Sequence, residues 1–470
     1  MSCAILRRAL SQQQETELRS YLCFYPTEDS YAKKYSYKGN GNDSKAPILF
    51  YKLDKDYVYV PYIFAAKYFQ IVPNVHRTYP ISIINFTGKL YENQVPIDVE
   101  AWEHLQTYGT TTLALDPGFG KTILGAKLAT RAKMLTAVIM TRSILTEQWK
   151  KTFNDFTDAT VWIVGEKNPP PTCNVIICLN GRWNLIPRDL RDMVGTLIID
   201  EAHMLCCGSC VDVLLAFQPK YIIIESATLE RDDDLHLMMY TLAGIHGVYR
   251  ESNTTLTVVK INTGISTEIT YQGFGPYQRP NYGKLVKDTL MNEYRNHIIL
   301  ELVKANAHRK ILILTGLIDH AKHLNNLIVK ANITSDYMCA DKKTYTDANV
   351  LVGTTNKIGT GFDQATFCEH YDKRFDLLIL VRSIKKYQML VQNVGRIFRT
   401  PHPTVFHFVD DVNIFREHWK KCIKWYNIRK ANILEHTVPT VKSVENKMES
   451  SQSGSVLQDW LEMKIATIAK

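Results

Sequence analysis

The sequence predicts an α/β protein: two tandem doubly wound parallel-sheet domains behind a small α+β N-terminal domain. Three observations predict it. From residue 86 onward, short apolar runs alternate with helix-like runs, the pattern of a parallel sheet covered by helices. A Gly-rich loop, Gly118-Phe119-Gly120-Lys121-Thr122, lies between an apolar run and a helix-like run, the setting in which such a loop cradles phosphates. A second series of alternating runs starts near residue 296 and has no loop of that kind.

The elements follow in chain order. Residues 1–85 form the expected accessory domain: a helix over 12–21, a Lys- and Tyr-rich loop over 31–44, and strands over 48–53 and 57–61. Asp54-Lys55-Asp56 reads as the turn between those strands. The Lys and Tyr side chains here suit base stacking and phosphate contact, or equally a tyrosine-rich fold with a solvated basic loop. Residues 86–295 are expected to form the first α/β domain with a bridging segment. Its strands are expected at 111–115, 136–140, 175–179, 196–199 and 221–224, with a helix at 123–131. These runs are short and apolar throughout, as buried parallel strands are. The stretch 229–295 is less regular, with Gly273, Gly275, Pro276 and Pro280 marking turns. Residues 296–435 are expected to form the second α/β domain: strands at 310–314, 350–352, 377–381 and 404–409, and helices at 320–329, 387–398 and 411–434. Residues 436–470 are expected to be a partly mobile tail, polar and Ser-rich over 445–456.

A length of 470 residues suits about three domains. Hydrophobic content of 45% and charged content of 22% describe an ordinary globular chain. The net charge of +9 and pI near 8.8 favour a polyanionic partner. No run approaches the roughly 20 apolar residues of a membrane span. At the start, Arg7 and Arg8 follow the short apolar run, the wrong order for a secretory signal. Ten cysteines without a regular framework predict reduced thiols in a cytoplasmic compartment. Cys206, Cys207 and Cys210 include C-x-x-C spacing, but no second Cys/His pair completes a zinc site, so they read as a loop or helix start.

Three segments read as parts of one ATP site. Gly118 and Gly120 let the backbone curl toward phosphate oxygens, Lys121 would reach the β- and γ-phosphates, and Thr122 would ligate Mg2+. Leu115 occupies the position of the usual first glycine. Asp200 and Glu201 end an apolar strand; Asp200 would hold the Mg2+ shell and Glu201 would polarise the attacking water. Arg396 and Arg399 are three apart in a helix-like run, a pairing suited to the γ end of a triphosphate, with Gln392 one turn earlier on the same side. Trp419, Trp425 and Tyr426 interleave with lysines; they read as a helix packing its aromatics inward, against an alternative of stacking on an unwound strand.

Over residues 88–425 these motifs resemble the superfamily 2 helicases, whose fold is two RecA-like domains. Lys89 to Gln94 is similar to the adenine-reading segment, with Gln94 its glutamine. Residues 141–149 are similar to a segment lying along the nucleic-acid backbone, which implies contacts from Thr141, Arg142 and Gln148. Ser226-Ala227-Thr228 resembles the segment coupling hydrolysis to movement, with His203 beside it. Thr355 and Thr360 look like nucleic-acid contacts of the second domain, and Gly361 and Asp363 like its ATP contacts. The DEAH-type form at 200–203 and Gln-x-x-Gly-Arg-x-x-Arg at 392–399 complete the set. The Gln148-Trp149 pair resembles the branch with phage branch-migration helicases and the poxvirus transcript-release helicase, and residues 57–61 resemble helicases of large cytoplasmic DNA viruses. Asn393 departs from the arginine of several other branches.

The resemblance implies an ATP-hydrolysing helicase or translocase using ATP and Mg2+. Its partner would be nucleic acid, DNA before RNA, and it would move 3′ to 5′. It would act as a monomer in the host cytoplasm or the virion, with transcription machinery as a further partner and no membrane. The role would be transcript release or DNA repair and recombination. The alternatives are an RNA helicase, a transcript-release motor that does not unwind duplex, and a non-catalytic ATP-gated scaffold.

Overall fold

The computed structural model describes residues 2–26 and 47–438, apart from Lys167, Thr228, Leu229, Asp232, Asn253, Pro276, Tyr277, Asp341, Thr360, Gly361, Asp363 and Glu369. The expected loop at 31–44 and nearly all of the 436–470 tail lie outside those residues.

The chain divides into two compact units, Met1–Glu251 and Ser252–Lys470. A seven-stranded sheet forms the first. Its spatial order is Gly247–Arg250, Thr110–Leu115, Tyr221–Glu225, Thr196–Asp200, Thr136–Met140, Val175–Leu179 and Val161–Ile163. Every neighbouring pair is parallel. The alternation of side chains explains the continuous apolar runs. Ala137, Ile139, Leu197, Ile199, Ile222 and Ile224 enter one core layer, while Val138, Met140, Ile198 and Ile223 enter the opposite one. Both faces are therefore covered, and each fully buried Ile or Leu contributes about 1.5–3 kcal/mol of burial.

The N-terminal residues join the first of those layers. Ser2–Leu6 pairs antiparallel with Tyr57–Pro61, which also pairs with Lys52–Leu53. Asp54 closes the expected turn, its side chain accepting from the amides of Asp56 at 2.9 Å and Tyr57 at 2.6 Å. The helix Gln12–Tyr21 starts on a capping box between Ser11 and Gln14. Residues 48–53 are not one strand: Ile48–Leu49 pairs with Cys23–Phe24, and Lys52–Leu53 with Tyr57–Pro61. Phe50, fully buried between them, donates its amide to Leu22 O. Leu18, Phe50, Val58 and Tyr62 share a core with Leu197 and Ile199, so residues 1–85 add a small sheet to the first unit's core.

The second unit also holds a seven-stranded parallel sheet. Its order is Ser335–Met338, Val350–Thr354, Ile311–Thr315, Leu377–Leu380, Thr404–Val409, Thr257–Asn262 and Asn432–Thr437. The architecture is thus two RecA-like α/β domains in tandem. The sequence boundary at 295 moves back to 251, because Thr257–Asn262 inserts between two strands of the second sheet. The last helix is Asn413–Ile428 and ends before 434, since Asn432–Thr437 is needed as the strand beside Thr257–Asn262. Trp419, Trp425 and Tyr426 on that helix are buried at 8%, 4% and 0% exposure, so its aromatics pack inward.

Candidate functional site

The strand Thr110–Leu115 feeds the loop 116–120, and the helix Lys121–Ala132 leaves it. Gly118 and Gly120 hold φ of 98° and 83°, the left-handed region that glycine enters without penalty. A Cβ on Gly120 would stand 2.5 Å from Gln94 Nε2, so this glycine also gives room to its neighbour. Gln94 is 3% exposed and braces the loop: its amide donates to Phe119 O at 2.8 Å and its carbonyl accepts from Tyr91 N at 2.9 Å. Lys121 Nζ donates to Leu115 O at 2.7 Å. Burial lowers the Lys121 ammonium against the pull of Glu201, Glu225, Asp200 and Asp116.

The acidic pair ends the strand Thr196–Asp200. Trp149, from the helix Ser143–Phe156, donates Nε1 to Asp200 Oδ2 at 2.8 Å. Burial, then the charge of Glu201, pushes Asp200 up to about 7. Glu201 itself has φ of 49°, a strained left-handed conformation for a side-chain-bearing residue and the kind of strain functional sites retain. His203 Nδ1 lies 3.4 Å from Glu201 Oε2 and 3.0 Å from Ser226 Oγ. Burial foremost lowers His203 to about 4, so it is neutral near pH 7. His203 thus contacts Ser226, while Ala227 is half-buried and Thr228 lies outside the described residues.

Sequence reasoning missed Glu225. It is fully buried at the end of Tyr221–Glu225, in register with Asp200 on the adjacent strand. Neither of its carboxylate oxygens has a hydrogen-bond partner. Burial and then Asp200 raise it well above the usual carboxylate range. Its signal was an acid closing an apolar run, the same signal that marked Asp200 and Glu201. Three buried carboxylates crowded beside one lysine form a hard-oxygen, negative environment, which with the Thr122 hydroxyl fits a magnesium ion. Among the described residues no group of three or more His, Cys, Asp and Glu could hold a metal by itself.

The other expected contacts fall as follows. Gln148 Nε2 reaches Thr122 Oγ1 at 3.4 Å, which turns it toward the phosphate loop. Thr141 Oγ1 lies 3.7 Å from Met204 Sδ, and Arg142 occupies the extended position just before the helix Ser143–Phe156. In the second unit, Thr355 is 4% exposed and accepts from Arg382 Nη1 at 2.9 Å, a partner the sequence did not suggest. The expected helix over 387–398 stops at Val394, with Gly395 as its cap. Arg396 and Arg399 therefore sit in the turns beyond it and do not share a helical face. Arg396 donates to Phe362 O and, at 2.9 Å, to Gly359 O, whereas Arg399 is exposed and Gln392 is buried. Thr360, Gly361 and Asp363 lie outside the described residues.

Comparison with known proteins agrees with this geometry. Residues 88–231 match the family model described as "Type III restriction enzyme, res subunit". "Putative helicase 161L" of Invertebrate iridescent virus 6 is 27% identical over 422 residues, covering 83% of this chain and 92% of that protein. "Putative ATP-dependent RNA helicase L396" of Acanthamoeba polyphaga mimivirus is 22% identical, covering 79% and 73%. "DNA 3'-5' translocase XPB2" of Sulfurisphaera tokodaii is 26% identical, covering 40% and 42%. The fold is similar to that of S. cerevisiae Dbp5 bound to RNA and ADP BeF3, with a TM-score of 0.54, 14% identity and coverage of 75% and 92%. The chain is similar to superfamily 2 helicases, through the family model over residues 88–231 and through viral putative helicases along most of its length. It is an ATP-hydrolysing, ATP-dependent nucleic-acid helicase with relatives in large DNA viruses. Among the described residues no helix is long and apolar enough to cross a membrane.

Proposed function

We propose that this enzyme moves along DNA 3′ to 5′, in viral transcript release or in DNA repair and recombination. The observation that carries the site assignment is the convergence of Lys121, Asp200 and Glu201, with their mutual electrostatic coupling, at the strand ends of the first unit. Lys121 and Thr122 bind the phosphates, Thr122 and Asp200 hold Mg2+, and Glu201 orients the attacking water. Thr122 and Asp200 would hold the magnesium ion, which would supply charge neutralisation for the bound phosphates. Gln94 serves the adenine, and Gly361 and Asp363 the ribose side. Arg396 and Arg399 are assigned the charge that the transition state needs, with Gln392 as a neutral neighbour. Closure on ATP is favoured by the γ-phosphate, and hydrolysis removes that preference. His203, Ser226, Ala227 and Thr228 relay the change. Thr141, Arg142, Gln148, Thr355 and Thr360 follow the sugar-phosphate backbone, so little sequence preference and steep salt dependence are expected.

The archaeal translocase and the phage and poxvirus resemblance of residues 148–149 support DNA. The mimivirus relative's name favours a second reading, an RNA helicase. ATPase rates with single-stranded DNA, duplex DNA and RNA at two salt concentrations decide between them. Stimulation by DNA, weakening at high salt, is expected; stimulation by RNA alone would overturn the first reading. A strand-separation assay beside a transcript-release assay then distinguishes unwinding from release. The cytoplasm or virion as location, a monomeric state and a transcription partner belong to the same proposal.

A further inference from the structure

The segment after the acidic pair carries a chemistry that ATP turnover does not use. Cys207-Gly208-Ser209-Cys210 folds into a tight turn, with Cys210 N donating to Cys207 O at 3.0 Å. The two sulfurs lie 3.4 Å apart. Their surroundings differ. Cys207 is half-buried beside exposed Gly208 and Ser209, with Ser209 Oγ 3.3 Å from its sulfur. Cys210 is 3% exposed and also accepts from Asn180 Nδ2 at 3.4 Å. The turn sits where the N-terminal residues meet the first sheet: Lys52 Nζ is 2.7 Å from Asp212 Oδ1, and Cys206 and Cys210 belong to the shared core.

From this geometry we infer that Cys207 and Cys210 form a reversible dithiol–disulfide site, with Cys207 the attacking thiolate and Cys210 the resolving thiol. Contact, motif spacing and unequal exposure agree on the assignment. The side-chain hydrogen bond between the two thiols, aided by Ser209 and Arg231, lowers Cys207 to about 5 despite partial burial. The same bond, with burial, raises Cys210. An accessible thiolate beside a protonated, sheltered thiol is the arrangement that exchange requires. By contrast, burial raises half-buried Cys173 to about 11.

The co-reactant is a low-molecular-weight disulfide, of which glutathione disulfide is the probe. Cys207 thiolate attacks one of its sulfurs, forming a mixed disulfide and expelling one glutathione thiolate. Cys210 then gives up its proton and attacks the Cys207 sulfur, forming the Cys207–Cys210 bond and expelling the second glutathione thiolate. The protein dithiol loses two electrons, the glutathione disulfide gains them, and the released proton is taken up by the leaving thiolates. Excess dithiothreitol runs the sequence backward.

The test uses the full-length, fully reduced protein at neutral pH, treated with glutathione disulfide, acid-quenched, alkylated and mapped by peptide mass spectrometry. A Cys207–Cys210 disulfide that dithiothreitol removes is the expected product. Cys210→Ser should stop at a glutathione adduct on Cys207, and Cys207→Ser should give neither adduct nor disulfide. Reduced, each variant should keep the wild-type circular dichroism spectrum and ATPase rate. At pH 6, iodoacetamide should modify wild-type Cys207 about 10-fold or more faster than Cys173. Cys207 left as a free thiol after oxidation would overturn the inference. So would alkylation of Cys207 and Cys173 at equal rates in the wild-type protein, a result that does not depend on how the variants fold.

Discussion

Trp149 Nε1 and Asp200 Oδ2 are joined by a 2.8 Å hydrogen bond, both residues being buried. The indole thereby fixes one oxygen of the carboxylate assigned to magnesium and leaves the group's orientation to packing from the helix Ser143–Phe156. Trp149→Phe keeps the ring volume roughly and deletes the donor. A hydrogen bond to a charged group contributes about 1.5–3 kcal/mol, so the magnesium concentration for half-maximal ATPase should rise about 10-fold or more. A titration of rate against magnesium checks this; an unchanged midpoint would remove Trp149 from the site.

Gly125 lies on the helix after the phosphate loop, where a Cβ would stand 2.3 Å from Glu225 Oε1 and 3.0 Å from Trp149 Cη2. Gly125→Ala should destabilise the first unit by about 1–3 kcal/mol, the usual cost of overpacking. Glu225→Ala opens the space, so the double variant should be more stable than the sum of the single effects requires. Denaturant unfolding of the four proteins in a double-mutant cycle measures that coupling.

Lys121→Ala should abolish ATP hydrolysis, since it removes the ammonium that Glu201, Glu225, Asp200 and Asp116 act upon. Arg396→Ala should leave nucleotide binding nearly intact and lower turnover about a thousandfold or more, as loss of an arginine finger does. Nucleotide titration beside steady-state ATPase assays separates the two outcomes; full turnover in either variant contradicts the assignment.

Acid should weaken the second unit more than the first. Burial holds His320 and His407 down to about 3 and His418 to about 4. An unfolded histidine titrates near 6.5. The folded values are depressed, so below about 6.5 the unfolded chain binds more protons and stability falls, down to about pH 3–4. In the first unit, His203 acts in the same direction, while Asp200 at about 7 and the raised Glu225 act in the opposite one. Calorimetry at pH 7 and pH 5 should show the transition of the second unit falling further; equal shifts would contradict this balance.

The ATP strand ends were legible because apolar runs such as 196–199, buried on both faces, leave little else for the chain to do. The phosphate loop was legible because it needs glycine at 118 and 120, where φ is positive. Glu225 closes an apolar run as Asp200 does, but its place beside Asp200 comes from lateral strand pairing, which spacing along the chain does not reveal. The helix end at Val394 was also hidden: residues 387–398 keep helical spacing, but the backbone turns at Gly395 and Arg396 binds two carbonyls upstream. The unit boundary was misplaced for a similar reason. Residues 257–262 are strand-like in composition, yet only sheet order tells which sheet they enter.

That insertion governs the order of events on the ribosome. Everything the first sheet needs has been synthesised once residue 251 emerges. The strand Thr257–Asn262 comes next, but both of its neighbours, Thr404–Val409 and Asn432–Thr437, are made last. Through that interval Val258, Val259 and Ile261 wait without partners, a long-range pairing that is slow to close and prone to mispairing. Nascent chains of this protein therefore carry a sticky ribbon behind a finished domain until residues 404–437 have been made.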